Sequence, residues 1–525
     1  MNPRVAAYPL CFGLGLAVLL SPALFAQKAG PTPVYVDVAR SIRKQRDAAD
    51  AAVEDARRGA ADAAKTLAHL SDVSGLVRDR VYRTILEKWS TEDLAALAPG
   101  LGTAADPLTR EAVAEIYGER TFRAGVPALV DALTRSKDEE SRVLCLWALG
   151  RIVDPQTVKT IEAVFKREKG SFRVKAEALR TLHRVDPRLA RARIDEAAKG
   201  DSPPLRIEAI ELLSECDVSA FGLAAALILS ELPKDPRNEW APRVWLAAAD
   251  LVQKVRWDAA SRTAAVAVVD ALIAVAEGAS GRLQSELYAA LPKVTGNSLP
   301  ADALTWRLWW EKNREAWQPL VEGAPPPPTP RTGAVRYHGE FVDSSRLAFL
   351  VDLSGGMGRT LVEGDGGATR LDLAKQELAR VLGELPEDYL VSVAYFGSFF
   401  ERFSEAPVLL KGGRARLLEF NASREISKKP GHNRGNLYDT LIAALTQPFT
   451  DTVYLLSEGA PTEGKFQDPG RFIANFQRWN RHYRVRVCTV FVGEPSGRAR
   501  DLLKQLSDGT GGSFRELGGK SADSR

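Results

Sequence analysis

Two acidic residues stand where this chain could do chemistry. Asp352 lies near the end of the apolar run 347–353, and Glu458 directly follows Leu455-Leu456-Ser457. Two carboxylates whose pKa values are pushed apart make an acid/base pair. Asp352 with Glu458 is therefore a candidate hydrolytic dyad. No other catalytic pattern supports it. The sequence holds no P-loop, no Gly-x-Ser-x-Gly elbow, no His-Glu-x-x-His pair and no paired CxxC. Of its histidines, His69 and His183 fall among helical repeats and read as packing or surface residues. His432 has no nucleophile beside it in sequence. Cys145, Cys216 and Cys488 are too widely spaced for a disulfide framework, and each reads as a small, buried, unpaired hydrophobe. The expectation is a chain that is not an enzyme.

The elements that would position these carboxylates alternate. Apolar runs at 347–353, 389–396, 452–456 and 485–492 predict buried strands. The amphipathic stretches 371–385, 437–445, 471–479 and 498–506 predict helices between and after them. This alternation predicts a doubly wound, mostly parallel sheet. Ligands of such sheets bind outside the carboxyl ends of the strands, where Asp352 and Glu458 fall.

The region from about 40 to 320 reads as almost wholly helical. Arg78, Arg110, Arg142, Arg173, Arg206, Arg243 and Arg282 each open an apolar helical pattern, at intervals of 32, 32, 31, 33, 37 and 39 residues. Asp154-Pro155 and Asp186-Pro187 break the helices in register. Such a period predicts a solenoid of stacked helix pairs. The pattern resembles HEAT-like repeats, in which an Arg opens the second helix of each pair. These arginines are expected to bond between repeats, with a ligand-binding ladder on the concave face as the alternative. Residues 40–70 predict a capping helix or short coiled-coil arm. Trp306, Trp309 and Trp310 share a helix face and read as a hydrophobic cap, or else as a sugar-stacking platform. Pro325-Pro326-Pro327-Pro328-Thr329-Pro330 predicts an extended spacer with few contacts across it. The expected division is 1–26 signal peptide, 27–322 helical repeats, 323–335 Pro-rich linker and 336–525 α/β domain.

The α/β part resembles a von Willebrand factor type A domain over 345–517. Asp352-Leu353-Ser354-Gly355-Gly356-Met357 is similar to the family's Asp-x-Ser-x-Ser opening. Arg370-Leu371-Asp372-Leu373-Ala374-Lys375 resembles the start of its first helix. Gly435-Asn436-Leu437-Tyr438-Asp439 and Leu455-Leu456-Ser457-Glu458-Gly459-Ala460-Pro461-Thr462 resemble two later segments. The resemblance implies a metal-ion-dependent adhesion site for Mg²⁺ or Mn²⁺, whose open position takes a partner carboxylate. Only part of its oxygen set is kept. Asp352 and Ser354 match. Gly356 replaces the second Ser, Gly435 falls on the Thr, and Glu458 replaces the later Asp. Arg434, beside the lost Thr, would place a positive charge there, and Asn433 offers a replacement oxygen. Mg²⁺ demands near-octahedral oxygen coordination, so the expectation is a degenerate site. The candidate partner-binding residues are Asp352, Ser354, Gly356, Arg434, Gly435 and Glu458. Asp352, Ser354 and Glu458 remain the candidate metal ligands.

The first 26 residues read as an export signal, with Arg4, the apolar stretch 10–20 and a cleavage region ending at Ala26. An uncleaved anchor is the alternative, and no later stretch is long and apolar enough to span a membrane. Basic and acidic residues number 71 and 67, a net +4 without a basic stripe, which argues against nucleic acid. The sequence reads as a multidomain, exported, non-catalytic scaffold, periplasmic or extracellular, either free or associated with the envelope. It carries an all-α HEAT-like solenoid, then an α/β doubly wound domain, and binds protein partners it does not name. Metal-dependent adhesion through a rescued site and hydrolysis by Asp352/Glu458 are the open alternatives.

Overall fold

The computed structural model describes residues 33–231, 239–319, 335–360, 367–429, 432–494 and 497–517. The expected signal peptide and all of the expected linker but Val335 lie outside the described residues. No described helix is long and apolar enough to cross a membrane.

The first half is a helical solenoid. A long N-terminal helix, Pro33–Arg57, packs on Gly75–Lys88. The seven periodic arginines all fall in the first turn of a helix: Gly75–Lys88, Pro107–Glu119, Glu139–Ile152, Phe172–Val185, Pro203–Cys216, Ala241–Val252 and Gly281–Thr295. Neighbouring repeats stack these helices side by side as an inner row. The Asp-Pro breaks have a physical reading. Asp154 accepts from the Gln156 amide and Asp186 from that of Leu189, each with Pro at the first helical position. One apolar core runs from Ala49 to Trp317. Trp306, Trp310 and Trp317 are buried at its end, and the Trp310 indole donates to Asp270. This is the expected cap.

The second half is an α/β domain. Its sheet comprises β3 (Arg346–Asp352), β4 (Leu390–Phe396), β5 (Phe400–Arg402), β6 (Val408–Leu409), β7 (Thr452–Ser457), β8 (Arg486–Phe491) and β9 (Phe514–Glu516). A hairpin of β1 (Arg336–Tyr337) and β2 (Glu340–Phe341) precedes it. The strand order is β5-β4-β3-β7-β8-β9, with β6 also on β4. β3 pairs in parallel with both β4 and β7, and β8 and β9 continue the parallel set, while β5 and β6 are antiparallel. Alternation along β3 sends Leu347, Phe349 and Val351 to one core and Ala348 and Leu350 to the other. Chain order reverses at β3, so a switch point opens between β3 and β7. The four predicted strands and four predicted helices are all present. β5, β6, β9, the hairpin and the helix Leu410–Ala422 carried no clear periodicity.

The two halves are not independent, contrary to the expectation of few contacts across the spacer. The helix Pro469–Tyr483 lies along the inner row of the solenoid, with ion pairs joining the two. Arg471 pairs with Glu115 at 2.6 Å and Asp79 at 3.0 Å. Arg481 pairs with Glu177 at 2.8 Å and Glu208 at 2.9 Å. Beyond the helix, Arg484 pairs with Glu211 and Asp250, and Arg486 lies 3.8 Å from Glu286. Four of the periodic arginines join in. Arg78 donates to the Gly464 and Lys465 carbonyls, Arg243 to those of Gln447 and Thr450, and Arg282 to those of Asp451 and Arg484. Arg173 stacks on Trp479, 3.4 Å from the ring centroid. Arg110 reaches Ser141 of the next repeat and Arg173 reaches Glu140 of the preceding one, as expected of all seven, whereas Arg142 and Arg206 pair with Glu168 and Glu231 at the ends of their own helix pairs. A spacer without a run of large apolar residues says nothing about a charged interface formed elsewhere, which explains the missed contact.

The three described cysteines are free. Cys145 and Cys488 are buried as expected, and burial pushes the Cys145 thiol up to about 12. Cys216 departs from the expectation. It ends its helix on the exposed surface.

Candidate functional site

The switch point gathers most of the residues singled out in the sequence. Asp352 is the last residue of β3, Ser457 the last of β7, and Glu458 follows it. The turn Gly355–Gly358 follows Ser354, and the Gly355 amide donates to the Asn433 carbonyl. Asp352, Ser354, Gly356, Asn433, Gly435 and Glu458 all line one cavity of about 380 Å³.

The carboxylates of this cavity are already engaged, while the buried Asn433 side-chain oxygen has no donor. One Asp352 oxygen accepts from the Ser354 amide at 2.6 Å, the other from the Ser457 hydroxyl at 2.6 Å. Glu458 accepts from the Ser354 hydroxyl at 3.3 Å and from Arg370 at 2.7 Å. Arg370 is 8% and Glu458 18% exposed, so their pair is shielded from water. Burial raises the Asp352 pKa, against the two serines. Burial, then the Asp352 charge, raises that of Glu458, while Arg370 and Arg359 oppose the rise.

The metal-binding set implied by the sequence resemblance does not fit this arrangement. A Cβ on Gly356 would stand 1.5 Å from Glu458 Oε1. The longer Glu458 side chain thus fills the space of the missing serine. The cation beside it is supplied by the chain, and it is Arg370 rather than the expected Arg434. Both Asp352 oxygens and both Glu458 oxygens already have donors. Among the described residues, no group of three or more His, Cys, Asp or Glu is placed to hold a metal. Asp352, Ser354 and Glu458 come together as read from sequence, but as an ion-paired cluster.

Sequence reasoning missed Arg370, Ser457 and Thr462 as site residues. Arg370 was read only as the first residue of a helix. Its side chain reaches 88 positions along the chain to Glu458, and no local pattern reports such a pairing. Thr462 brings a hydroxyl to the loop that lacks the expected Thr, where it accepts from the Gly435 amide at 2.9 Å. A second cavity, of about 690 Å³, lies between the last repeats and the α/β domain. Several of its charged lining residues, among them Arg484, Arg486, Glu211 and Asp250, are spent on the interface pairs.

Residues 126–214 match the family model of HEAT repeats. The HEAT match covers helices of the inner row and their outer partners. No curated protein matches the chain. Solved structures similar to it include the PilB minor pilin from Streptococcus sanguinis, at 14% identity over 33% of this chain and 56% of that one, TM-score 0.26. This chain thus spans little more than half of the pilin's length. The CpcE–CpcF complex of phycocyanin lyase from Nostoc sp. PCC7120 is 15% identical over 52% of this chain and 100% of that one, TM-score 0.24. The Ro (RSR) protein of Deinococcus radiodurans is 16% identical over 89% and 90%, TM-score 0.22.

Proposed function

We propose that this chain is a non-catalytic protein-binding scaffold that works outside the cytoplasm. Its HEAT-like solenoid clamps a von Willebrand factor type A-like domain and leaves the strand-end face of that domain for a partner protein. Binding there needs neither Mg²⁺ nor Mn²⁺. One observation carries this reading: Arg370 pairs with Glu458 where the family's metal chemistry would require an open cation. The solenoid's inner row, the usual binding surface of such repeats, is spent on the chain's own Pro469–Tyr483 helix. The strand-end cavity therefore remains the better-formed site. The hydrolytic alternative gains no support, because both Asp352 oxygens are held by Ser354 and Ser457.

The test is capture of partners from envelope extract by the full chain, in EDTA and in Mg²⁺, beside a Gly459→Arg variant. Gly459 lines the cavity, and a Cβ there would meet nothing within 4 Å, so the substitution blocks the mouth without disturbing the fold. The same partner should appear in both buffers and be lost with Gly459→Arg. Capture only in Mg²⁺ would refute metal independence. Capture unaffected by Gly459→Arg would move the partner site off this face.

A further inference from the structure

The strand-end cavity borrows one wall from the other half of the chain. Ile42, on the Pro33–Arg57 helix, borders it together with Phe396, Leu437 and Pro461. The same helix touches the Gly355–Gly358 turn. Ile42 is half-buried there, while Phe396 and Leu437 are buried. The charged groups of the floor are engaged internally: Asp352 by two serines, and Glu458 by Arg370. The Asn433 side-chain oxygen is left without a donor, but it is an acceptor and does not attract a carboxylate, so paired charges and apolar walls select an aliphatic group.

The helix that supplies Ile42 is lightly held. From Ile42 onward its buried residues are Ala49, Ala52 and Ala56, which remove little apolar surface from water. Its described side-chain ties, the Arg80–Asp50 pair, the contact of His69 with Asp55 and the buried bond from the Trp89 indole to the Ala56 carbonyl, all lie at or beyond Asp50, so the end that carries Ile42 is the more weakly tied. Segments with few large buried contacts open locally before the rest of a protein does.

We propose that the strand-end cavity is a docking site for an aliphatic side chain carried on a helix, and that Ile42 is its resident, displaceable occupant. The partner is then a helical segment that presents an aliphatic anchor and competes with the chain's own N-terminal helix. This rests on the strand-end face being the partner site. The occlusion by Ile42 can be measured with no partner present, so the two readings fail separately.

The experiment uses the full chain with Cys11→Ser, Cys216→Ser and Ser354→Cys. Cys145 and Cys488 are buried, so the introduced thiol is the reactive one, and its alkylation by N-ethylmaleimide is timed. Adding Ile42→Asp should speed alkylation about tenfold or more, as expected for loss of local protection. A peptide of residues 33–57, added to the Ile42→Asp chain, should slow it again, and the same peptide carrying Ile42→Asp should not. An unchanged rate on Ile42→Asp overturns the proposal. So does a faster rate that the peptide cannot suppress, because that reports loosening without docking. Should Ser354→Cys fail to fold, Gly459→Cys at the open rim carries the same measurement.

Discussion

Replacing Arg471 with leucine removes the central cation of the contact between the two halves. Arg471 is 7% exposed and its partners Asp79 and Glu115 are each 4% exposed; the variant strands Asp79 away from water, while Glu115 keeps Arg478 at 3.5 Å and Asn475 at 2.8 Å. Burial pushes the Glu115 pKa up, but Arg471 and Arg478 overcome this and hold it below the ordinary value. Breaking a buried pair from one side costs ~3–5 kcal/mol. The stranded carboxylate limits its own penalty by binding a proton. Neutralising an aspartate of ordinary pKa ~3.9 costs about 4 kcal/mol at pH 7 and about 1.5 kcal/mol at pH 5. The sign follows from the protons bound. A carboxylate raised in the folded state binds more protons there than when unfolded, so the variant regains stability as pH falls. Urea unfolding of both proteins should show a loss of ~4 kcal/mol at pH 7 that shrinks to about 1.5 kcal/mol at pH 5. With a protease site placed within 320–334, the wild-type halves should co-elute after cleavage at pH 7 and those of Arg471→Leu should separate. A variant with wild-type stability at pH 7, or a loss that does not change with pH, would refute the buried-pair account.

The strand-end cluster makes its own prediction. Gly356→Ser alone should destabilise the fold, because its Cβ meets Glu458 Oε1 at 1.5 Å. Millimolar Mg²⁺ should leave the melting temperature of the unmodified chain unchanged, whereas Gly356→Ser with Gly435→Thr, Glu458→Asp and Arg370→Ala should gain Mg²⁺-dependent stability; a shift of several degrees in the unmodified chain would overturn the reading of Arg370. His482 is buried beside Arg481, with Arg173, Arg180 and Arg484 also raising the cost of its charge and Glu208 3.7 Å away, and its pKa lies well below the ordinary value. It remains neutral in the folded chain, so the stability it contributes is complete above pH ~6.5 and is lost as pH falls below that, at up to ~1.4 kcal/mol per unit. His482→Gln should flatten this acid limb in urea titrations at pH 7 and 5.5, and an unchanged slope would show that other groups carry it.

Local regularity made much of the architecture legible. Arg78 to Arg282 mark the first turns of the inner helices because each repeat must solve the same packing problem. Asp352 and Glu458 are readable as strand-end residues because an apolar run that stops at a charge marks where a buried strand emerges. Long-range pairing was not legible. Arg370 meets Glu458 only after the sheet has formed, and Arg434 was the nearer basic residue in sequence. The docking surface did leave a signal. Arg471, Arg478 and Arg481 are spaced by seven and three positions, on one helical face, while Asp79, Glu115, Glu177 and Glu208 recur along the inner row. Matching these two charge series requires knowing which helix lies against which row, and that is tertiary information.

The charged contact between the halves also has a direction in time. The acidic residues Asp79, Glu115, Glu177 and Glu208 all precede the Pro469–Tyr483 helix in the chain. Domains fold as they emerge, the N-terminal ones first. While the ribosome is still making the second half, the inner row is an open, hydrated trough whose carboxylates stand among the row's own arginines, as Glu208 does beside Arg180. The basic helix arrives last and closes that trough in one step. A nascent chain built in this order waits with a groove of charges and a few aromatic rings, Tyr82, Trp147, Phe172 and Trp240 among them, which the arginines and Tyr483 of the helix later cover.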